Sequence, residues 1–262
     1  MTSSPADIAA EVRRRLANRT LLLLCDFDGT LCEFDPDPAA VFLSEGRQHL
    51  LRELSARQAI TGIISGRRLR DLRERVGAAR VTYLVGFHGM EVESAIDSFR
   101  HPDVLASEAL VHEIAAKAAP GIAHLPGVFI EDKEFAVALH YRAATPAARV
   151  VGQSAFMDAA RDGLESGRLR VLRGSFVIEL LPNTRWNKGS AVEWIRERAA
   201  RVHPALTTVY VGDDVADEDA FAAVGDGGVT IGASLRVTHA EFHVDGPAGV
   251  EAFLRALCGT LS

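Results

Sequence analysis

The chain has 262 residues, 48% hydrophobic and 24% charged, with a formal net charge of −6 and a pI near 5.9. That composition leaves no case for disorder, and the acidic balance argues against a nucleic-acid surface. No apolar run approaches the roughly 20 residues of a membrane-spanning helix, and three cysteines without a CxxC pair fit a reducing cytoplasm.

Residues 1–20 carry helical periodicity with charges throughout, unlike the apolar core of a signal peptide. Next comes "TLLLLCDFDG" (20–29), the first of five short runs that are apolar on both faces and so read as buried parallel strands. The others are "AITGIISGR" (59–67), "VTYLVGFHG" (81–89), "TTVYVGDD" (207–214) and "GGVTIG" (227–232). Helical patterns fall between them, in "SEGRQHLLRELSAR" (44–57), "RRLRDLRERVGA" (67–78), "NKGSAVEWIRERAAR" (187–201) and "VADEDAFAAV" (215–224). Strand alternating with helix predicts an α/β fold built on a doubly wound parallel sheet. Residues 92–182 are too many for one crossover and predict an inserted α+β module. Two helices (103–121 and 146–164) accompany strand candidates in 127–142, 169–174 and 175–182. The expected division is therefore a core of residues 1–91 and 183–262 and an inserted domain of residues 92–182, placed to cover the core's active edge. "HAEFH" sets His239 and His243 at the i, i+4 spacing of a zinc helix. It lacks the hydrolytic glutamate and a third ligand, so both read as surface histidines.

In such sheets the chemistry lies beyond the carboxyl ends of the strands, where Asp26, Ser65, His88 and Asp213 fall. Asp26 is a nucleophile candidate: a carboxylate is ionised at neutral pH without a base, and its natural electrophile is phosphorus. Asp28, two residues on, is placed to protonate the leaving oxygen and then to activate water. Gly29 permits the tight turn, and the Thr30 hydroxyl is available to the turn or the phosphate. Two adjacent carboxylates need cations. Asp213 and Asp214, followed by Asp217 and Glu218, complete a hard oxygen cage of the kind Mg²⁺ prefers. Lys188 stands at a helix start, where an ammonium and free N–H groups favour an anion.

"DFDGTL", "ISGR", "NKG" and "GDDVADEDAF", in that order, resemble the four motifs of the haloacid dehalogenase-like phosphatases. The mid-chain insert looks like the α/β cap of the type IIB subgroup. "DPDPAA", "GFHG" and "EDKEFAVALHYR" narrow the similarity to trehalose-6-phosphate phosphatases. This resemblance implies a cytoplasmic, Mg²⁺-dependent hydrolysis of trehalose 6-phosphate. Asp26, Asp213 and the backbone carbonyl of Asp28 would be metal ligands, with Asp214 and Asp217 behind them. Ser65 and Lys188 would hold the phosphate. Thr30, Gly66, Arg67, His88 and Asn187 join the substrate-binding set, and Glu131, Lys133, Arg142 and Glu179 of the cap would meet the sugar hydroxyls. A trehalose-phosphate synthase is a candidate partner, and a monomer is favoured. Ala136, Ala216 and Phe87 depart from the family pattern. They motivate a rival reading, a phosphatase for a sucrose, mannosylglycerate or glucosylglycerate phosphate; a non-catalytic sugar-phosphate sensor is a third reading, against which the intact Asp28 argues.

Overall fold

The computed structural model describes residues 3–35, 37–174, 176–234 and 239–261; Pro36 and Ser175, each inside a stretch quoted above, fall outside them. The chain divides into two compact units, one formed by Met1–Phe99 and Trp186–Ser262, the other by Arg100–Arg185.

The first unit opens with α1 (Pro5–Leu16), β1 (Thr20–Asp26), α2 (Glu45–Ala56), β2 (Ile60–Ile64), α3 (Leu69–Arg75) and β3 (Tyr83–Gly86). Two short strands follow, β4 (Glu91–Ser94) and β5 (Ser98–Arg100). The second unit holds α4 (Pro102–Ile122), β6 (Phe129–Asp132), β7 (Val137–His140), α5 (Pro146–Glu165), β8 (Leu169–Gly174) and β9 (Val177–Pro182). The chain then returns to the first unit with α6 (Lys188–Val202), β10 (Leu206–Gly212), α7 (Glu218–Ala223), β11 (Val229–Gly232), β12 (Phe242–His243) and α8 (Gly246–Thr260).

The eight-stranded sheet runs β12-β11-β10-β1-β2-β3-β4-β5. From β12 to β3 every pairing is parallel, and β4 runs antiparallel to β3. The five apolar runs form the middle of this sheet, because each buries side chains on both faces. Leu21, Leu23, Cys25, Ile63, Val209 and Val211 face a layer that includes residues of α1, α2 and α8. Leu22, Leu24, Ile64, Val85 and Tyr210 face α6 and α7. Period-two alternation therefore sends Asp26 to the α6/α7 side and Cys25 to the other. Cys25, Cys32 and Cys258 are all buried and unbridged.

The boundaries of the units lie later than the sequence pattern puts them. Residues 91–100 extend the first sheet through β4 and β5 rather than opening the insert. "EVES" and "SFR" carry no strand signal because they are short, charged edge segments without an apolar run. "HAEFH" is not helical: His243 lies in β12, and exposed His239 bonds to Glu218 at 2.8 Å. In the second unit the antiparallel sheet runs β6-β7-β9-β8. One face packs Val137, Leu139, Ile178 and Leu180 against α4 and α5. Among the described residues no helix is long and apolar enough to cross a membrane.

Candidate active site

β1 ends on Asp26, which is 5% exposed. α6 begins on buried Lys188, held there by the Asn187 cap. The Asn187 side chain accepts from Ser190 N at 3.0 Å, and Ser190 Oγ accepts in return from Asn187 N. Such a capping box fixes the first turn, and it brings the Lys188 ammonium 2.6 Å from Asp26 Oδ1 and 2.7 Å from Asp217 Oδ1.

Asp213 follows β10, and buried Thr30 donates to its Oδ1 at 3.1 Å. Single carboxylate oxygens of Asp26, Asp213 and Asp217 lie within 4.8 Å of one another. The three are not equivalent. Asp217 Oδ1 accepts from Lys188 and from the Tyr210 hydroxyl, each at 2.7 Å; its Oδ2 accepts from Asp213 N at 3.0 Å and Asp214 N at 3.1 Å. Four donors fill the lone pairs of that carboxylate. Asp26 Oδ2, by contrast, accepts no hydrogen bond from the described residues. A metal ion would therefore be held by Asp26 and Asp213, with Asp217 orienting Lys188 and the loop behind them.

The charge count tests whether a cation fits. Three buried carboxylates face one ammonium, an excess that low-dielectric surroundings make costly. Burial pushes the Asp26 carboxyl well above the usual range; Lys188 opposes this, and Asp217 and Asp213 add to it. Asp213 is pushed up to about 6, first by burial and then by Asp217. Burial would lower the Lys188 ammonium, but Asp26 and Asp217 outweigh it and raise the group. An all-oxygen donor set with surplus negative charge matches Mg²⁺.

Around this centre, Ser65 Oγ accepts from Arg67 N at 3.1 Å, which leaves its hydroxyl hydrogen to donate. Phe87, His88 and Gly89 have φ of 51°, 56° and 101°, a run of left-handed backbone that strains the two non-glycine residues. It sets the His88 ring against Gly66, where a Cβ would lie 2.7 Å from His88 Cε1. In the second unit Lys133 Nζ lies 2.9 Å from Glu179 and 3.9 Å from Glu131, and His140 Nε2 lies 2.8 Å from Glu131. Arg142 instead lies over the Phe176 ring at 5.7 Å. Two residues of these networks carry no signal in the sequence: Tyr210, hidden in an apolar run, and His140, whose partner Glu131 sits on the neighbouring strand.

Gly29 has φ +83°, and a Cβ there would come 2.4 Å from Asp213 Oδ2. Gly29→Ala is expected to displace Asp213 and lower kcat/KM by about 10²-fold or more. Steady-state kinetics of the folded variant check this, and unchanged kinetics would remove Asp213 from the chemistry.

Comparison with known proteins places the chain in a family. A family model described as trehalose-phosphatase matches residues 24–247. Trehalose-phosphate phosphatase of Mycobacterium ulcerans is 39% identical over 248 residues, covering 90% of this chain and 61% of its own length. The Mycobacterium tuberculosis H37Rv protein of the same name is 38% identical over 254 residues, covering 94% of this chain and 63% of its own length. The chain thus spans less than two thirds of these relatives. Among solved structures, the C-terminal domain of Candida albicans trehalose-6-phosphate phosphatase superposes with a TM-score of 0.75 at 24% identity, covering 98% of this chain and 99% of that one. A trehalose-6-phosphate phosphatase related protein gives 0.77 at 23%, covering 91% and 97%. At these identities the structures speak for the fold alone, and it is the family model, spanning every motif from the end of β1 to the start of α8, that decides: the chain belongs to the trehalose-phosphatase family.

Proposed function

We propose that this chain is a Mg²⁺-dependent phosphatase that hydrolyses trehalose 6-phosphate to trehalose and phosphate. The observation that carries the reading is the buried Asp26–Lys188–Asp217 ion cluster with Asp213 beside it, at the strand ends of a trehalose-phosphatase family member. Asp26 and Asp213, with the Asp28 backbone carbonyl, would hold the ion, and Asp214 lies beside them in the same loop. Bound there, Mg²⁺ supplies the positive charge that lets a carboxylate approach an anionic phosphoryl group.

The Asp26 carboxylate attacks phosphorus, forming an O–P bond while the P–O bond to the sugar breaks. The Asp28 carboxylic acid gives its proton to the departing oxygen. Asp28, now ionised, takes a proton from water as the water oxygen bonds to phosphorus and the Asp26–P bond breaks. Phosphate leaves and both carboxyl groups return to their starting states. Lys188, the Ser65 hydroxyl and the α6 N-terminus bind the phosphoryl oxygens. Thr30 holds Asp213, while Gly66 and His88 shape the wall beside Ser65. Glu131 on β6, Lys133 just after it and Glu179 on β9, together with Arg142, offer charged hydrogen-bonding groups for the sugar hydroxyls. Three buried, unbridged cysteines support a reducing cytoplasm as the place of action.

Phosphate release with Mg²⁺ from trehalose 6-phosphate, sucrose 6-phosphate, glucosylglycerate phosphate and mannosylglycerate phosphate tests the reading. The highest kcat/KM is expected for trehalose 6-phosphate. Preference for another ester would move the substrate assignment, and no release from any of them would remove the activity.

A further inference from the structure

Asp28 is bound by a cation other than Lys188. Arg67 Nε donates to its Oδ2 at 2.8 Å and Nη2 to its Oδ1 at 2.7 Å, a two-pronged grip. The guanidinium is fixed in turn. Nη1 donates to the Pro38 carbonyl at 2.9 Å and to Asp71 at 3.2 Å, and Arg75 Nε holds Asp71 at 2.8 Å. The Phe27 ring lies 5.6 Å from the guanidinium carbon, and the side chain is 11% exposed. Four of its five N–H donors are thereby engaged, two of them on Asp28. Little of this fork is left to clamp a phosphoryl group.

Asp28 needs such a hold. It follows the end of β1 in a tight turn, its side chain is 27% exposed, and proton transfer demands a carboxyl oxygen within hydrogen-bond reach of the reacting oxygen. A planar guanidinium fixes both the position and the plane of a carboxylate, which an ammonium does not. Each Asp28 oxygen keeps a second lone pair, so the proton it gives and takes has a site while the fork is engaged. From this geometry we propose that Arg67 is a positioning residue for leaving-group protonation, acting through Asp28 rather than by gripping the phosphate. The inference rests on the acid/base role given to Asp28 above. It also explains a tie among motifs distant in sequence: one side chain joins "DFDGTL", "ISGR" and the Pro38 carbonyl.

The experiment compares esters that differ in their need for an acid. Wild type, Arg67→Ala and Arg67→Lys are assayed on p-nitrophenyl phosphate, whose leaving group needs no proton, and on whichever sugar phosphate the wild type hydrolyses fastest. That choice keeps the contrast readable even if trehalose 6-phosphate is the wrong substrate. kcat/KM reports the steps through expulsion of the leaving group. Both variants are expected to lose about 10²-fold on the sugar phosphate and less than about 10-fold on p-nitrophenyl phosphate. In an Asp28→Asn background, Arg67→Ala should cost nothing further on the sugar phosphate. Equal losses on both esters, whether from a phosphate contact or from a damaged fold, would overturn the proposal. So would an added loss in the Asp28→Asn background. Arg67→Lys keeps the positive charge in place, so the comparison does not depend on the fold tolerating alanine.

Discussion

Asp26→Asn is expected to lower kcat by on the order of 10⁴-fold or more, the scale seen when a nucleophile is removed from a machine whose parts act together. An amide oxygen is too weak a nucleophile to displace an alcohol from phosphorus, and Asp26 is a buried carboxylate with one oxygen outside the hydrogen bonds of the described residues. Stability should move the other way or not at all. Breaking a buried ion pair ordinarily costs about 3–5 kcal/mol because a charge is stranded. Here Lys188 keeps Asp217 at 2.7 Å, and the change removes one of three crowded carboxylates. Without divalent cations the variant's Tm should equal or exceed that of the wild type. Steady-state kinetics with thermal melts check both halves, and a catalytically intact variant would place the nucleophile elsewhere.

Chelating divalent cations is expected to abolish turnover, and Mg²⁺ to restore it. The cause lies in the surplus charge: Asp26 and Asp213 are both pushed upward by burial and by neighbouring carboxylates, so the site is poised to take up positive charge. Mg²⁺ at about 100 times its Kd would add about 2.7 kcal/mol to the folded state, a rise in Tm of roughly 5–10 °C for a domain of this size. Asp213→Asn should remove most of that rise as well as the activity. Melts with and without Mg²⁺ give a readout independent of turnover. Equal Mg²⁺ responses in wild type and Asp213→Asn would dissociate the ion from this cluster.

The parts of the architecture that rest on apolar runs are readable from the sequence. β1, β2, β3, β10 and β11 each bury both faces, so their residues cannot alternate, and the polar residue closing such a run marks a strand end. Asp26, Ser65 and Asp213 are located that way. Edge strands give no such mark, because β4 and β5 are charged and β12 has two residues. Asn187 followed by Ser190 announces the start of α6. Partnerships between distant segments are another matter. Arg67 reads as part of a phosphate loop, yet it closes on Asp28, 39 residues earlier. Tyr210 reads as core, and only the neighbourhood of Asp217 gives its hydroxyl a purpose.

Every step of the proposed chemistry requires that phosphorus pass through a covalent bond to Asp26. Mixing enzyme with labelled trehalose 6-phosphate, quenching in acid within the first turnover and mapping the label by mass spectrometry tests this most directly. Phosphate is expected on the peptide spanning residues 20–34, carried by Asp26 and absent from Asp26→Asn. Turnover with no label on that peptide, or label on another side chain, would contradict it.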